Sequence, residues 1–499
     1  MSWLPRSDLV PNTAAYESAP LIKPTGFREY DARWLLGEEI NLLGVQALGL
    51  GLGTYLHELG RTRIVVGHDY RSYSLSVKQA LTLGLVSAGC EVLDIGLALS
   101  PTAYFAQFDL NAPAVAMVTA SHNENGWTGL KMGAAPPLTF GPDEIGRLRD
   151  IVLGGAGKAR GGGSLTRIEG VAERYIADAA SRCTLKRPMR LVCACGNGTA
   201  GAFAPEALRR MGAEVIPMDC DLDWTFPRYN PNPEDADMLR AMAQAVREHG
   251  ADLALGFDGD GDRCGVVDDE GEEIFADKIG LLLARDLAPR NPGAIFVVDV
   301  KSTGLFATDP VLAANGAATV YWKTGHSHMK RKVAELGALA GFEKSGHYFL
   351  GEPLGRGYDC GLTAAAAILA MLDRNPGHRM SDLKRALPAA HTSLTMSPRC
   401  ADEVKYAVAG EIVQSYRDHA AGGGKILGRA ITEVITVNGV RVALEDGSWV
   451  LVRPSSNKPE LVVVVESTQS ADDMRALFHD EVKPRLARWP QIGAYNQEI

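Results

Sequence analysis

Short apolar runs that break off into polar loops recur along this chain, and between them the apolar spacing is helical. Ile64-Val65-Val66-Gly67 reads as a buried strand ended by glycine. Ser74 stands where it can cap the next helix, whose positions Val77, Ala80, Leu81, Leu85 and Ala88 keep helical spacing as far as Gly89. Val92–Ile95 reads as another strand. This alternation constrains the fold more than any other feature, because it predicts a mostly parallel sheet with helices on both faces. Open sheets of that kind bind ligands beyond the carboxyl ends of their strands.

One such end is Ala114–Val118, followed by Thr119-Ala120-Ser121-His122-Asn123 and the glycine-spaced Gly126-Trp127-Thr128-Gly129-Leu130-Lys131. A small hydroxyl there, with loop N–H groups and a lysine nearby, can carry a phosphoryl group. Taken alone, the same residues also suit a plain polar turn. Upstream, Gly26-Phe27-Arg28-Glu29-Tyr30-Asp31-Ala32-Arg33 has the residues for contacts with an anion or a sugar, and taken alone it looks the same as a solvated loop. The glycine-rich stretch Leu153–Ser164 reads as a linker.

A second unit of similar rhythm follows, with strands at Leu191–Cys195, Glu214–Met218 and Leu253–Phe257. Helices are expected over Ala202–Met211 and around Leu239–Val246, the latter ended at Gly250. Its polar loop is Asp258-Gly259-Asp260-Gly261-Asp262-Arg263. Closely spaced carboxylates repel unless a cation lies between them, and the glycines let the backbone curl so that all three face one point. Oxygen-only ligands suit a hard divalent ion, Mg²⁺ before zinc. A calcium loop of the EF-hand type needs Gly at its sixth position and Glu at its twelfth; Arg263 and Asp269 stand there instead.

A third unit has strands at Ala294–Val300, Thr319–Trp322 and Leu339–Phe342, closed by a helix over Leu362–Leu372. Loops after its strands should bring Lys301, His326, Glu343, Ser345 and His347 to one end of a sheet, a set able to read sugar hydroxyls and move protons. The last unit differs. A helix over Glu403–Ser415 leads into a hairpin, Glu433–Val437 and Val440–Leu444 about Asn438-Gly439. The turn Arg453-Pro454-Ser455-Ser456-Asn457-Lys458-Pro459 then suits a phosphate clamp, and taken alone an ordinary polar hairpin turn equally well. A final helix is expected near Ala471–His479.

The 499 residues, at roughly 100–200 per domain, imply three or four domains. The boundaries fall at 1–163, 164–290, 291–390 and 391–499. Charged residues make up 22% and the net charge is −9, so no overall basic field invites nucleic acid. The start has no signal-peptide pattern, and Leu362–Leu372 is too short to span a bilayer. Eight scattered cysteines without zinc spacing fit reduced thiols in a cytoplasmic protein.

Four motifs, one per expected unit, together resemble the α-D-phosphohexomutase superfamily, within it the phosphomannomutase/phosphoglucomutase group. They are Thr119-Ala-Ser121-His-Asn123, the Asp258-to-Arg263 loop, Glu343-Lys-Ser-Gly-His347 and the Arg453-to-Pro459 turn. The likeness runs from Gly26 to about Glu466. It implies three similar mixed αβα domains and a smaller C-terminal α+β domain around a central cleft. It also implies phosphoserine at Ser121, with Mg²⁺ held by Asp258, Asp260, Asp262 and the Ser121 phosphate. Glu343 and Ser345 would read sugar hydroxyls, and Arg453, Ser455 and Asn457 would hold the phosphate that is not reacting. Tyr30, Arg33, Lys131, Arg263, Lys301, His326 and His347 match further active-site positions of the family.

The implied reaction moves phosphate between C1 and C6 of mannose and also glucose phosphates. It passes through a hexose 1,6-bisphosphate, which also serves as activator. Lys131, His326 and His347 are the candidates for proton transfer at the sugar. A monomer or small homo-oligomer, with no membrane or nucleic-acid partner, is expected. Alternatives are a phosphoglucosamine mutase, or a sugar phosphatase in which water takes the phosphoryl group from Ser121. The chain departs from the family's usual pattern at Trp34, Glu124, Thr128 and Lys344.

Overall fold

The computed structural model describes Val10, Thr13 and residues 19–455 and 458–499. These fall into two compact units, Met1–Phe275 with Ser345–Ser381, and Ala276–Lys344 with Asp382–Ile499.

In the first unit, a six-stranded sheet takes the order Ala32–Leu35, Trp127–Gly133, Ala114–Val118, Arg63–His68, Glu91–Leu97, Ser164–Arg167. The last four are parallel, as the alternation predicts. The first two are antiparallel to their neighbours, so the Ser121 loop joins a hairpin instead of leading into a helix. Helices Leu42–Glu58 and Ser74–Ser87 cover one face and cross at two glycines. A Cβ on Gly49 would lie 2.3 Å from the Leu81 carbonyl, and one on Gly84 2.1 Å from that of Gln46, so the backbones touch. Ser74 does not cap its helix; it is the first helical residue, and its hydroxyl donates to Asp69 at 2.5 Å.

The glycine-rich stretch is packed. Lys158 N donates to Thr54 Oγ1 and Arg160 N to the Ser87 carbonyl, and Gly163 lies so close to Val86 that a Cβ would meet its carbonyl at 2.1 Å. The glycines permit that approach, and the chain then adds Ser164–Arg167 to the sheet.

The second sheet of this unit runs Glu273–Ile274, Cys264–Asp268, Leu253–Phe257, Arg190–Ala194, Glu214–Met218. Leu253–Phe257 is parallel to Arg190–Ala194 and antiparallel to Cys264–Asp268, so the acidic loop is again a hairpin turn. Helix Ala236–His249 is capped by the Asp235 carboxylate and ends at Gly250 in the left-handed region (φ 58°). The helix expected over Ala202–Met211 is a 3₁₀ turn, Thr199–Ala202, followed by Ala204–Arg210, whose start is set by Pro205.

The second unit holds a parallel sheet, Ala318–Trp322, Ile295–Asp299, Ala340–Phe342. It also holds a six-stranded antiparallel sheet: His391–Thr392, Leu461–Ser467, Trp449–Pro454, Val440–Leu444, Arg429–Ile435, Lys425–Ile426. Helix Asp402–Ala421 buries Val408, Ile412 and Tyr416 against that sheet's Val442, Val452 and Val463. The final helix stops at Ala476, widens into a π-type turn over Leu477–Val482 and resumes at Lys483. No described helix is long and apolar enough to cross a membrane.

Candidate active site

The Ser121 loop and the acidic loop meet within the first unit. Ser121 is buried, and its backbone lies in the left-handed region (φ 52°), which a side chain occupies only when its surroundings impose it. Arg71 supplies that constraint. Its guanidinium donates to the carbonyls of Ser121 (3.0 Å), Asn123 (2.6 Å) and Glu124 (3.1 Å), and pairs with Asp69 at 3.4 Å. Asp69 in turn accepts from Ala120 N and Ser74 Oγ. The loop is therefore held by its backbone while the hydroxyl stays available. Ser121 Oγ donates to Asp258 Oδ2 at 3.0 Å and lies 3.3 Å from His122 Nδ1.

Asp258, Asp260 and Asp262 are fully buried, with ligand oxygens within 4.8 Å of one another. Gly259 brings the acidic loop onto the serine loop: a Cβ there would lie 2.5 Å from the Ser121 carbonyl oxygen. Lys131 Nζ bonds Asp260 Oδ2 at 2.7 Å and also bonds Asp262 Oδ2. Ser100 Oγ adds a bond to Asp260 Oδ2 at 2.6 Å. Burial disfavours the Lys131 ammonium, but Asp260 and Asp262 outweigh it and hold the group well above the ordinary lysine value. Burial would likewise raise Asp260, yet Lys131 and Ser100 keep it far below the usual carboxylate range. Asp258 is pushed up by burial and by its two acidic neighbours.

A divalent cation fits these residues. The oxygen donor set is hard, and Asp260 Oδ1 and Asp262 Oδ1 are buried with no hydrogen-bond partner among the described residues. Strands on both sides of the loop exclude the helix–loop–helix calcium site.

Around this centre, Arg33 pairs with Asp31 at 3.0 Å and donates to the Thr119 carbonyl, while Tyr30 lies half-buried beside that strand. Arg263 donates through Nε to His347 Nε2 at 3.1 Å, and His347 Nδ1 lies 3.3 Å from Asp359 and 3.6 Å from Asp262. Arg263 and then burial hold the His122 imidazole well below its ordinary value, so it is neutral beside Ser121.

In the second unit, Asp299 ties three strand-end loops together. Its carboxylate accepts from Ser302 Oγ (2.6 Å), Thr324 Oγ1 (2.9 Å) and Lys344 N (3.2 Å). Those loops carry Lys301, His326 and Glu343. Glu343 is buried and accepts from Gly325 N at 2.5 Å; His326 opens the helix His326–Leu336, with Lys330 Nζ 3.4 Å from its Nδ1. Arg453 and Ser455 are buried at the end of strand Trp449–Pro454. Asn457 lies outside the described residues.

Comparison with known proteins accounts for this combination. Four family descriptions match in order: phosphoglucomutase/phosphomannomutase alpha/beta/alpha domain I over residues 24–156, domain II over 173–271, domain III over 275–391, and the C-terminal domain over 403–483. The chain belongs to the phosphoglucomutase/phosphomannomutase family. It is an intramolecular phosphotransferase, an enzyme of the isomerase class.

A phosphomannomutase/phosphoglucomutase from Pseudomonas aeruginosa is 33% identical over 470 residues, covering 93% of this chain and 97% of its own. A phosphoglucomutase from Neisseria meningitidis is 32% identical over 448 residues, covering 89% and 94%. The crystal structure of a phosphoglucomutase/phosphomannomutase family protein from Burkholderia thailandensis superposes with a TM-score of 0.84 at 29% identity, covering 94% of this chain and 98% of that one. The fold is the family's: mixed α/β domains followed by a smaller C-terminal domain.

Of the five residues expected at one sheet end, Lys301, His326 and Glu343 stand on strand-end loops of the second unit; Ser345 and His347 follow Glu343 along the chain and are counted with the first unit. There His347 joins the acidic hairpin through Arg263 and Asp359. Sequence reasoning missed Arg71, Ser100, Asp299 and Asp359. Arg71 and Asp299 were within reach, since Asp69-Tyr70-Arg71 follows strand Arg63–His68 and Asp299 ends strand Ile295–Asp299. They obey the strand-end rule that singled out Ser121.

Proposed function

We propose that this enzyme interconverts the 1- and 6-phosphates of mannose and glucose, with Ser121 as the phosphoryl carrier. The observation that carries the reading is Ser121 itself, a buried hydroxyl on an imposed left-handed turn, 3.0 Å from an acidic hairpin. Curated relatives with both names match along almost their whole length.

In this reading, phosphoserine 121 gives its phosphoryl group to a free hydroxyl of a hexose phosphate. The bond to Ser121 Oγ breaks as the bond to the sugar oxygen forms, and the sugar hydroxyl loses its proton. The hexose 1,6-bisphosphate then returns its other phosphate to Ser121, and added bisphosphate primes the enzyme. Asp258, Asp260, Asp262 and the Ser121 phosphate would hold Mg²⁺, which when bound offsets charge on the transferred group. Lys131, bonded to Asp260 and Asp262, adds positive charge at the acidic hairpin. His347, oriented by Arg263 and Asp359, is the candidate to move the proton, with His326 as the other. Arg33 and Arg263, which border the serine and acidic loops, would contact the transferred phosphate, and Tyr30 the substrate. Glu343, Ser345 and Lys301 read the sugar, while Arg453, Ser455 and Asn457 hold the second phosphate.

A coupled assay with Mg²⁺ and a trace of hexose 1,6-bisphosphate tests this. It compares mannose 1-phosphate, glucose 1-phosphate and glucosamine 1-phosphate, with free phosphate followed in parallel. Formation of the mannose and glucose 6-phosphates without phosphate release, lost in Ser121→Ala, is the expected result. Preference for the glucosamine ester would assign the sugar differently, and phosphate release without isomerisation would mean a hydrolase.

A further inference from the structure

Away from the Ser121 site, the second sheet of the first unit gathers three thiols. Cys193 lies in strand Arg190–Ala194 and Cys195 just beyond it; Cys220 lies beyond the neighbouring parallel strand, Glu214–Met218. Residues two apart on a strand share a face, so Cys193 and Cys195 project together. Cys195 Sγ lies 3.8 Å from Cys193 Sγ and 3.6 Å from Cys220 Sγ, and all three sulfurs are within 4.8 Å of one another. Cys193 and Cys195 are fully buried, and Cys220 is half-buried.

The backbone fixes this arrangement. Cys195 N donates to the Met218 carbonyl at 3.2 Å, and Asn197 N to that of Asp219 at 2.6 Å. Behind Cys220, Gly201 packs so closely that a Cβ would meet the Cys220 carbonyl oxygen at 2.0 Å. The sulfurs are therefore held together by the chain and not by their own weak hydrogen bonds. A metal–sulfur bond of about 2.3 Å in tetrahedral geometry sets the sulfurs about 3.8 Å apart, close to the spacing found here. A disulfide requires about 2.0 Å.

We propose that Cys193, Cys195 and Cys220 form a three-thiolate site for a thiophilic metal ion of the Zn²⁺ type. The site is independent of the phosphohexomutase reading, and its donors are chemically opposite to the acidic hairpin: soft sulfur takes the thiophilic ion, hard oxygen takes Mg²⁺. Each ligand thiol gives its proton to solvent as the metal–sulfur bond forms, so binding tightens as pH rises. The turn after Cys195 backs the acidic hairpin, with Thr199 N donating to the Gly259 carbonyl, so a bound ion would stiffen that support.

The test is a titration of the full-length, reduced protein with Cd²⁺ in excess Mg²⁺, following the thiolate-to-metal charge-transfer absorption in the ultraviolet. The band should saturate near one equivalent and be suppressed by added Zn²⁺. Cys195→Ser and Cys220→Ser should each weaken binding at least about tenfold, while Cys400→Ser, in the other unit, leaves it unchanged. Circular dichroism checks folding, and Cys220→Ser, at the half-buried position, carries the test if Cys195→Ser fails to fold. The proposal is overturned if the reduced protein gives no band at stoichiometric Cd²⁺, or if the band persists undiminished in both variants. It is equally overturned if the three thiols only form a disulfide in air and take up no metal when reduced.

Discussion

The ammonium of Lys131 lies 2.7 Å from Asp260 Oδ2 and also bonds Asp262, so one buried cation spans two of the three carboxylates in the acidic hairpin. Removing it in Lys131→Met strands buried negative charge, at a cost of roughly 3–5 kcal/mol. Arg33 and Arg263 still act on the hairpin, and a divalent ion is then the counter-charge able to take the place of Lys131 between Asp260 and Asp262. Melting followed with and without Mg²⁺ should show a lower Tm for the variant and a larger gain on adding Mg²⁺ than in the wild type. Equal gains in the two proteins would mean that Lys131 does not share the carboxylate charge with the ion.

Arg71 holds the serine loop through a planar fork of donors to three carbonyls. Lysine keeps the charge but not the fork. Arg71→Lys is therefore expected to stay folded yet lose activity by about a hundredfold, through a misplaced nucleophile. The fall should lie in kcat with KM little changed. A raised KM at normal kcat would assign Arg71 to substrate binding instead.

Gly259 has no positive φ, so its need for glycine is steric alone: a Cβ would meet the Ser121 carbonyl oxygen at 2.5 Å. Gly259→Ala forces the acidic loop away from the serine loop. Mg²⁺ affinity and kcat should both drop at least about tenfold, while the melting temperature shifts by only a few degrees. Wild-type Mg²⁺ dependence in this variant would show that the two loops need not touch.

These cases mark what was legible in the sequence. The strands Ala114–Val118 and Leu253–Phe257 were readable to the residue, because continuous apolar runs ended by polar loops have one good solution in a covered sheet. The Ser121 and Asp258-to-Asp262 loops were readable because closely spaced like charges and a hydroxyl at a strand end are costly without a purpose. The strand-end rule reaches Arg71 and Asp299, but it does not give their roles, because their partners are mainly backbone groups and hydroxyls that leave no motif of their own. The packing of Gly163 was hidden for a related reason: a glycine admitting a neighbouring backbone looks the same in sequence as one in a free linker.

Glu466 offers a test of what holds the second unit together. Its Oε1 accepts from Thr303 Oγ1 (2.9 Å), Gly304 N (2.8 Å) and Trp449 Nε1 (2.8 Å), and its Oε2 from Thr392 Oγ1 (2.6 Å) and Lys278 (3.4 Å). Burial would raise this carboxyl, but Lys278 and the hydrogen bonds pull it down to about 2. Since the unfolded chain titrates near the ordinary glutamate value of about 4.3, the folded state gains on the order of 3 kcal/mol from the ionised form. That gain is fully present above the unfolded value and disappears as pH falls toward 2. Glu466→Gln cannot ionise, so it should be less stable than the wild type at pH 7, and the gap should close progressively below about pH 4.5. Urea unfolding of both proteins across that range reads the difference directly, because the other carboxyls titrate alike in each. Parallel curves would place the acid sensitivity of this unit elsewhere.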